Sequence, residues 1–160
     1  MIILRSILLF VTCLGISLSV QAQRIPADRL HELIQRGIDL SGKQNYSEAG
    51  KIFAQAIKEY PAHPAGYLNQ AILLEVMSLD LETPVKMPEY LRLLETTQEL
   101  GEAMIDRPSQ AAEGNYYVGM ARSYIAYYHF RDGENWLSGL SHGLKASGYL
   151  EDCLGHDKKA

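Results

Sequence analysis

The chain has 160 residues, 15 of them Lys or Arg and 19 Asp or Glu, for a formal charge of −4. A net acidic chain without a basic run lacks the electrostatic footprint that nucleic acid requires, so that partner is not expected. The length suits one domain with its own core, and no low-complexity linker divides it.

The first residues, MIILRSILLFVTCLGISLSVQA, carry one charge (Arg5), an apolar run from Ile7 to Val20, and the small residues Val20 and Ala22 ahead of Gln23. That is the layout of a secretory signal peptide over residues 1–22, cleaved near Ala22. An uncleaved anchor is the alternative, although a run of about fourteen residues is short for a bilayer. Thr12 before Cys13 does not suit a lipid-attachment box. The expectation is a periplasmic or secreted bacterial protein with no stable membrane span after cleavage. Processing removes Arg5 and leaves 14 basic against 19 acidic side chains, a formal charge of −5, with Cys153 as the single remaining thiol. No internal disulfide is then expected, and stability must come from packing.

Residues 23–160 are expected to form one helical domain. Leu30, Leu33, Ile34, Gly37, Ile38 and Leu40 fall on one helical stripe that closes at Ser41-Gly42. Asn45 and Glu48 have the spacing of a capping box, and Ala49, Ile52, Phe53, Ala56 and Ile57 make a second stripe ending at Tyr60-Pro61. Two short antiparallel helices follow.

These residues resemble a tetratricopeptide repeat, a helical hairpin of about 34 residues. Leu33, Gly37 and Leu40, then Tyr46, Ala49, Phe53, Ala56 and Pro61, stand at its signature positions. Leu33 replaces the usual tryptophan-type residue, and Arg36 stands where Leu is common. The resemblance implies that Gly37 and Ala49 let the two backbones approach while Phe53 fills the space beside them. It also implies an all-α fold: an array of about three αα-hairpins in a right-handed solenoid. Repeat 1 spans about residues 30–63.

A second repeat, about 64–108, begins on schedule with Tyr67, Ala71 and Leu74. Its second-helix series resumes only at Leu100, Ala103 and Pro108, about thirteen residues late. The surplus falls around SLDLETPVKMPEY, where Pro84 and Pro88 forbid a continuous helix and Pro88 suits the first turn of the next one. A lengthened hairpin loop is the expectation, with a binding insertion as the alternative. The third hairpin, about 110–157, is degenerate: Tyr117, Met120, Ala121 and Tyr124 precede a break at Asp132-Gly133. Trp136, Leu137, Leu140, Leu144, Leu150 and Leu154 then line a helix containing Gly139, Gly143, Gly148 and Gly155. Where a further hairpin would begin, the sequence stops. Leu144, Leu150 and Leu154 are therefore expected to line an uncovered face that self-associates.

No catalytic constellation emerges, and an enzyme is not expected. His31, His63, His129, His142 and His156 show no metal-ligand spacing, so neither metal nor other cofactor is expected. Cys153 sits in a small apolar slot, and Glu95, Glu99, Glu102 and Asp106 read as a solvated helix face. Tyr116, Tyr117, Tyr124, Tyr127, Tyr128 and Phe130 crowd one helix; they suit ring or peptide binding, or bulky packing over small neighbours.

The resemblance implies a non-enzymatic scaffold that binds a protein or peptide along the concave face of its first helices. By repeat position that face presents His31, Ile34, Ile38, Leu68, Asn69, Ile72 and Glu75, with Asn115 and Arg122 from the third hairpin. Ile34 and Ile38 occupy the positions where relatives that clamp a terminal carboxylate carry Lys and Asn, which implies an apolar groove instead. The alternative is a periplasmic transport-accessory protein enclosing a small apolar molecule between the second and third hairpins.

Overall fold

The structure, a computed structural model, describes residues 27–132 and 135–157; the expected signal peptide lies outside them. They form six helices: α1 (Ala27–Gly42), α2 (Tyr46–Glu59), α3 (Pro64–Asp80), α4 (Met87–Ile105), α5 (Ala111–Asp132) and α6 (Trp136–Asp157). Among the described residues there is no strand, and the fold is all-α. No described helix is long and apolar enough to cross a membrane.

Each helix packs on its successor, and α1 also touches α3, as α3 touches α5. The odd-numbered helices thus make one continuous row. Between α1 and α2, Leu33 packs with Ile52 and Ala56, and the Phe53 ring lies over Gly37. A Cβ built on Gly37 would sit 2.6 Å from Phe53 Cζ, far inside contact distance. Leu73 of α3 joins Ala49 and Phe53, carrying the packing from the first hairpin to the second. The largest cluster then links Leu68 and Ala71 of α3, Tyr90, Leu93 and Leu94 of α4, and Ala121 and Ile125 of α5.

The α1–α2 turn departs from the expected capping box. Asn45 precedes the first residue of α2, but its side chain makes no capping hydrogen bond. The Asn45 N–H donates to the Leu40 carbonyl at 2.9 Å, so the group that Glu48 would reach back to is already engaged in closing α1. Glu48 instead accepts from Lys51 Nζ at 2.6 Å. Gln44 takes the left-handed conformation (φ 57°) in this turn, and it and Tyr46 both donate to the Asp80 carboxylate at the end of α3.

The surplus in the second hairpin is only partly loop. Helices α3 and α4 run 17 and 19 residues against 14 in α2, and Pro88 lies in the first turn of α4. The connection between them is pinned at both ends. Ser78 Oγ donates to the Thr83 carbonyl at 2.5 Å, and the Val85 side chain is buried in the main cluster.

At the other end of the molecule, Leu150 is not part of an open surface. Gly119 of α5 gives it room, and a Cβ there would stand 2.7 Å from Leu150 Cγ. Leu144 and Leu154 do face outwards, at 67% and 63% exposure, together with Trp136 and Leu137. The expected uncovered face therefore exists without Leu150, because Leu150 faces α5 and the others face away from it.

The Gly37→Leu substitution is expected to cost about 2 kcal/mol or more, because the added branch must displace the Phe53 ring or part the two helices. Urea unfolding of the variant measures this. An unchanged midpoint would mean that the α1–α2 crossing tolerates separation.

Candidate functional site

The row formed by α1, α3 and α5 frames a groove of about 660 Å³. His31, Ile34, Gln35 and Ile38 of α1 form one bank, with Leu68, Asn69 and Ile72 of α3 along the bottom. The other bank is Glu113, Tyr116 and Tyr117 of α5, with Gln110 just before it. Helical spacing explains the grouping: each residue recurs three or four positions along its helix and so shares one face. Ile38 and Tyr116 are exposed, whereas Leu68 is fully buried beneath them.

His63 ties the groove's bank to its floor. Its Nδ1 accepts from the Ala65 N–H at 3.2 Å, capping α3, and its Nε2 lies 3.2 Å from Glu113 Oε1 on α5. An Nδ1 that accepts leaves the ring proton on Nε2, where it is donated to the carboxylate. Tyr117 meets the same ring edge-on, with centroids 5.6 Å apart. The His63 hydrogen bond holds the Glu113 carboxyl below the usual carboxylate range, against an opposing effect of partial burial. Burial, reinforced by the Glu113 charge, pushes the Tyr117 phenol well above its ordinary range.

A second lobe of about 400 Å³ adjoins the groove and shares Ile72 with it. Helix α3 contributes Ile72, Glu75, Val76 and Leu79; helix α5 contributes Met120, Ser123, Tyr124 and Tyr127. Glu75 is 3% exposed and forms an ion pair with Arg131 through Oε1, while its Oε2 has no hydrogen-bond partner among the described residues. Arg131 also stands over the Tyr127 ring, 5.7 Å from its centroid.

Of the residues expected on the concave face, His31, Ile34, Ile38, Leu68, Asn69 and Ile72 come together in the groove, and Glu75 lines the lobe. The third-hairpin candidates do not join them. Asn115 is buried at 4% exposure and lines neither cavity. Arg122 turns towards Glu102 of α4 (3.7 Å) and the Tyr149 ring of α6 (5.5 Å). The α5 residues that do line the two cavities, from Glu113 to Tyr127, were missed as a set, although the density of tyrosines marked the helix. Its phase was illegible because α5 touches α3, α4 and α6 and is apolar on several sides, leaving no single stripe to read. The tyrosines divide accordingly: Tyr128 packs on the core, Tyr117 and Tyr124 both pack there and line a cavity, and Tyr116 and Tyr127 are exposed in the cavity walls.

Among the described residues no three His, Cys, Asp or Glu side chains gather as a metal-ligand set. Glu95, Glu99 and Glu102 are exposed along α4, as is Asp106 just past its end. Cys153 is half-buried on α6. Comparison with protein-family profiles, with curated proteins and with solved structures gives no match.

Because folding lowers the Glu113 pKa, its carboxylate contributes stability above the unfolded value and loses it as pH falls through the folded one. Glu113→Gln should therefore destabilise the protein modestly at neutral pH, with the deficit closing as the pH drops below the ordinary carboxylate range. Half-exposure of the group keeps the effect small. Urea unfolding of both proteins across that range tests it, and a pH-independent difference would show that the charge of Glu113 is not what His63 holds.

Proposed function

We propose that the chain is an exported, non-enzymatic interaction module whose six helices are three tetratricopeptide-like hairpins in a right-handed solenoid. It binds an extended protein segment along α1, α3 and α5. The observation that carries this reading is the convergence of six expected first-helix residues, from two successive hairpins, on one groove. Supporting it are the Gly37–Phe53 crossing at the repeat's small-residue position and the contacts from α1 to α3 to α5. Chemically the groove suits an extended chain: Ile34, Ile38 and Ile72 offer apolar contact to side chains, and the amides of Gln35, Asn69 and Gln110 offer hydrogen bonds to a backbone.

Native mass spectrometry of the mature protein recovered from its host extract tests the proposal. A bound polypeptide is expected with the wild type and not with Ile38→Glu, whose exposed position leaves the core intact. A polypeptide retained equally by both would overturn the groove as the binding surface.

A second reading has its own observation. The lobe between α3 and α5 is a largely apolar cavity with tyrosine walls, of a size at the lower end for small-molecule sites. It stands between the second and third hairpins, where a small apolar molecule would be enclosed. A small ligand in the same mass-spectrometric experiment, without a polypeptide, would favour it.

The outward face of α6 is proposed to meet a second copy of the chain, since Trp136, Leu137 and Leu144 are all more than half exposed on it. Leu144→Lys should reduce self-association in sedimentation at micromolar concentration without lowering the melting temperature. A wild type that remains strictly monomeric rules this contact out.

A further inference from the structure

We infer that the extended segment bound in the groove carries a Lys or Arg side chain, seated against Glu113 and the rings of Tyr116 and Tyr117, with apolar residues on either side of it in the chain. The inference rests on the groove as a polypeptide-binding surface and specifies the chemistry of the partner.

The charge of the lining fixes the sign. Among the described residues that line the groove, Glu113 is the one carboxylate, and no Lys or Arg stands with it. The His63 hydrogen bond favours the ionised form, so the negative charge is present at neutral pH. His63 brings no charge to balance it, because Nδ1 accepts from the Ala65 N–H and the ring is neutral. Two neighbouring cations are already engaged: Arg29 lies between Glu32 (3.3 Å) and Glu59 (3.7 Å), and Arg107 donates to Gln110 Oε1 at 2.9 Å. The Glu113 side chain is 48% exposed, and a carboxylate has about four acceptor sites, so the hydrogen bonds from His63 and Tyr117 leave room for an incoming donor. A bound cation gains a charge-assisted hydrogen bond there, whereas a bound Asp or Glu is repelled.

The rings fix the place. Tyr116 and Tyr117 stand nearly perpendicular, at 72° with centroids 5.2 Å apart, and Tyr117 meets the His63 ring at 86°. Two rings set in that way are the walls of a corner, and their negative faces attract a cation lodged in it. Tyr116 is 41% exposed, so a Lys or Arg stem can lie along its ring with the head group at Glu113. The opposite bank fixes the neighbours. Successive side chains of an extended chain point to opposite sides, so a cation directed at α5 turns the residues before and after it towards Ile34 and Ile38 of α1, where apolar groups fit.

The test is affinity selection of short acetylated and amidated peptides on the full mature protein, in pools randomised around a central Lys, Arg, Gln or Glu, with retention read by mass spectrometry. The Lys and Arg pools are expected to be retained about fivefold or more over the Gln pool, and the Glu pool least, with apolar residues enriched beside the cation. Glu113→Gln keeps an acceptor for His63 and removes the charge, so the ratio of Lys to Gln pools should fall towards one. Tyr116→Leu should lower retention of the cationic pools more than that of the Gln pool. Glu99→Gln, on the exposed face of α4, removes the same charge outside the groove and should leave the ratio unchanged. Circular dichroism confirms folding of each variant; if Glu113→Gln does not fold, the wild-type ratio and Tyr116→Leu decide. A cation preference that survives Glu113→Gln, or that Glu99→Gln weakens equally, would overturn the site at Glu113. Equal retention of all four pools, lost in Ile38→Glu, would overturn the inference and leave the groove as a polypeptide-binding surface. Retention of no pool would overturn both.

Discussion

The Phe53 ring resting on the bare backbone of Gly37 sets the spacing on which the groove depends. Because Gly37 lacks a side chain, α1 and α2 approach closely enough for Leu33, Ile52 and Ala56 to close over one another. The same ring touches the cluster containing Leu73, so the position of α3 is referred to the α1–α2 crossing instead of being set by a loop. That is what brings Ile34 and Ile38 of α1 opposite Leu68 and Ile72 of α3. A side chain at Gly37 would part the helices and widen the groove along with them. The α4–α5 crossing uses the same device with two glycines. A Cβ on Gly114 would lie 2.6 Å from the Gly101 carbonyl oxygen, and this contact fixes the far bank of the groove.

The two cavities differ in how their polar groups are settled. In the groove, His63 spends both ring nitrogens, one on the start of α3 and one on Glu113, while Asn69 Nδ2 donates to the Ala65 carbonyl and Gln110 Oε1 accepts from Arg107. In the lobe, the Glu75–Arg131 pair joins α3 to α5 through residues 56 apart in sequence, while one carboxylate oxygen has no hydrogen-bond partner among the described residues. A buried ion pair is weak evidence for stability, since desolvation offsets much of the attraction. Its carboxylate residue, Glu75, stands in a cavity wall with Tyr124 and Tyr127.

Much of the fold was legible because short helices announce themselves locally. The stripes from Leu30 to Leu40 and from Ala49 to Ile57, the stop at Gly42 and the prolines at 61 and 88 depend on near neighbours, and the helices begin and end close to where those residues place them. The capping box at Asn45 failed for an equally local reason that no spacing reveals: the Asn45 N–H had already been taken by Leu40. The longer connection in the second hairpin takes up only part of the surplus, because extra residues can also lengthen helices that find something to pack on. Here α4 found α5, and Val85 found the core.

The site divides along the same line. By itself the sequence determined six of the groove residues, because one dominant apolar stripe fixes the phase of α1 and the register of the repeat it resembles carries that phase to α3, a helix with four neighbours and no single stripe of its own. Only the tertiary structure decided the contribution of α5. Three neighbours surround that helix, so its sequence is apolar in several directions, and burial alone could not tell Tyr124 in the lobe from Asn115 in the interior. Only the tertiary structure, likewise, brought Arg131 to Glu75 and separated Leu150 from the open face of α6. Each of these depends on what stands opposite a side chain, and helical periodicity describes only the side from which it points.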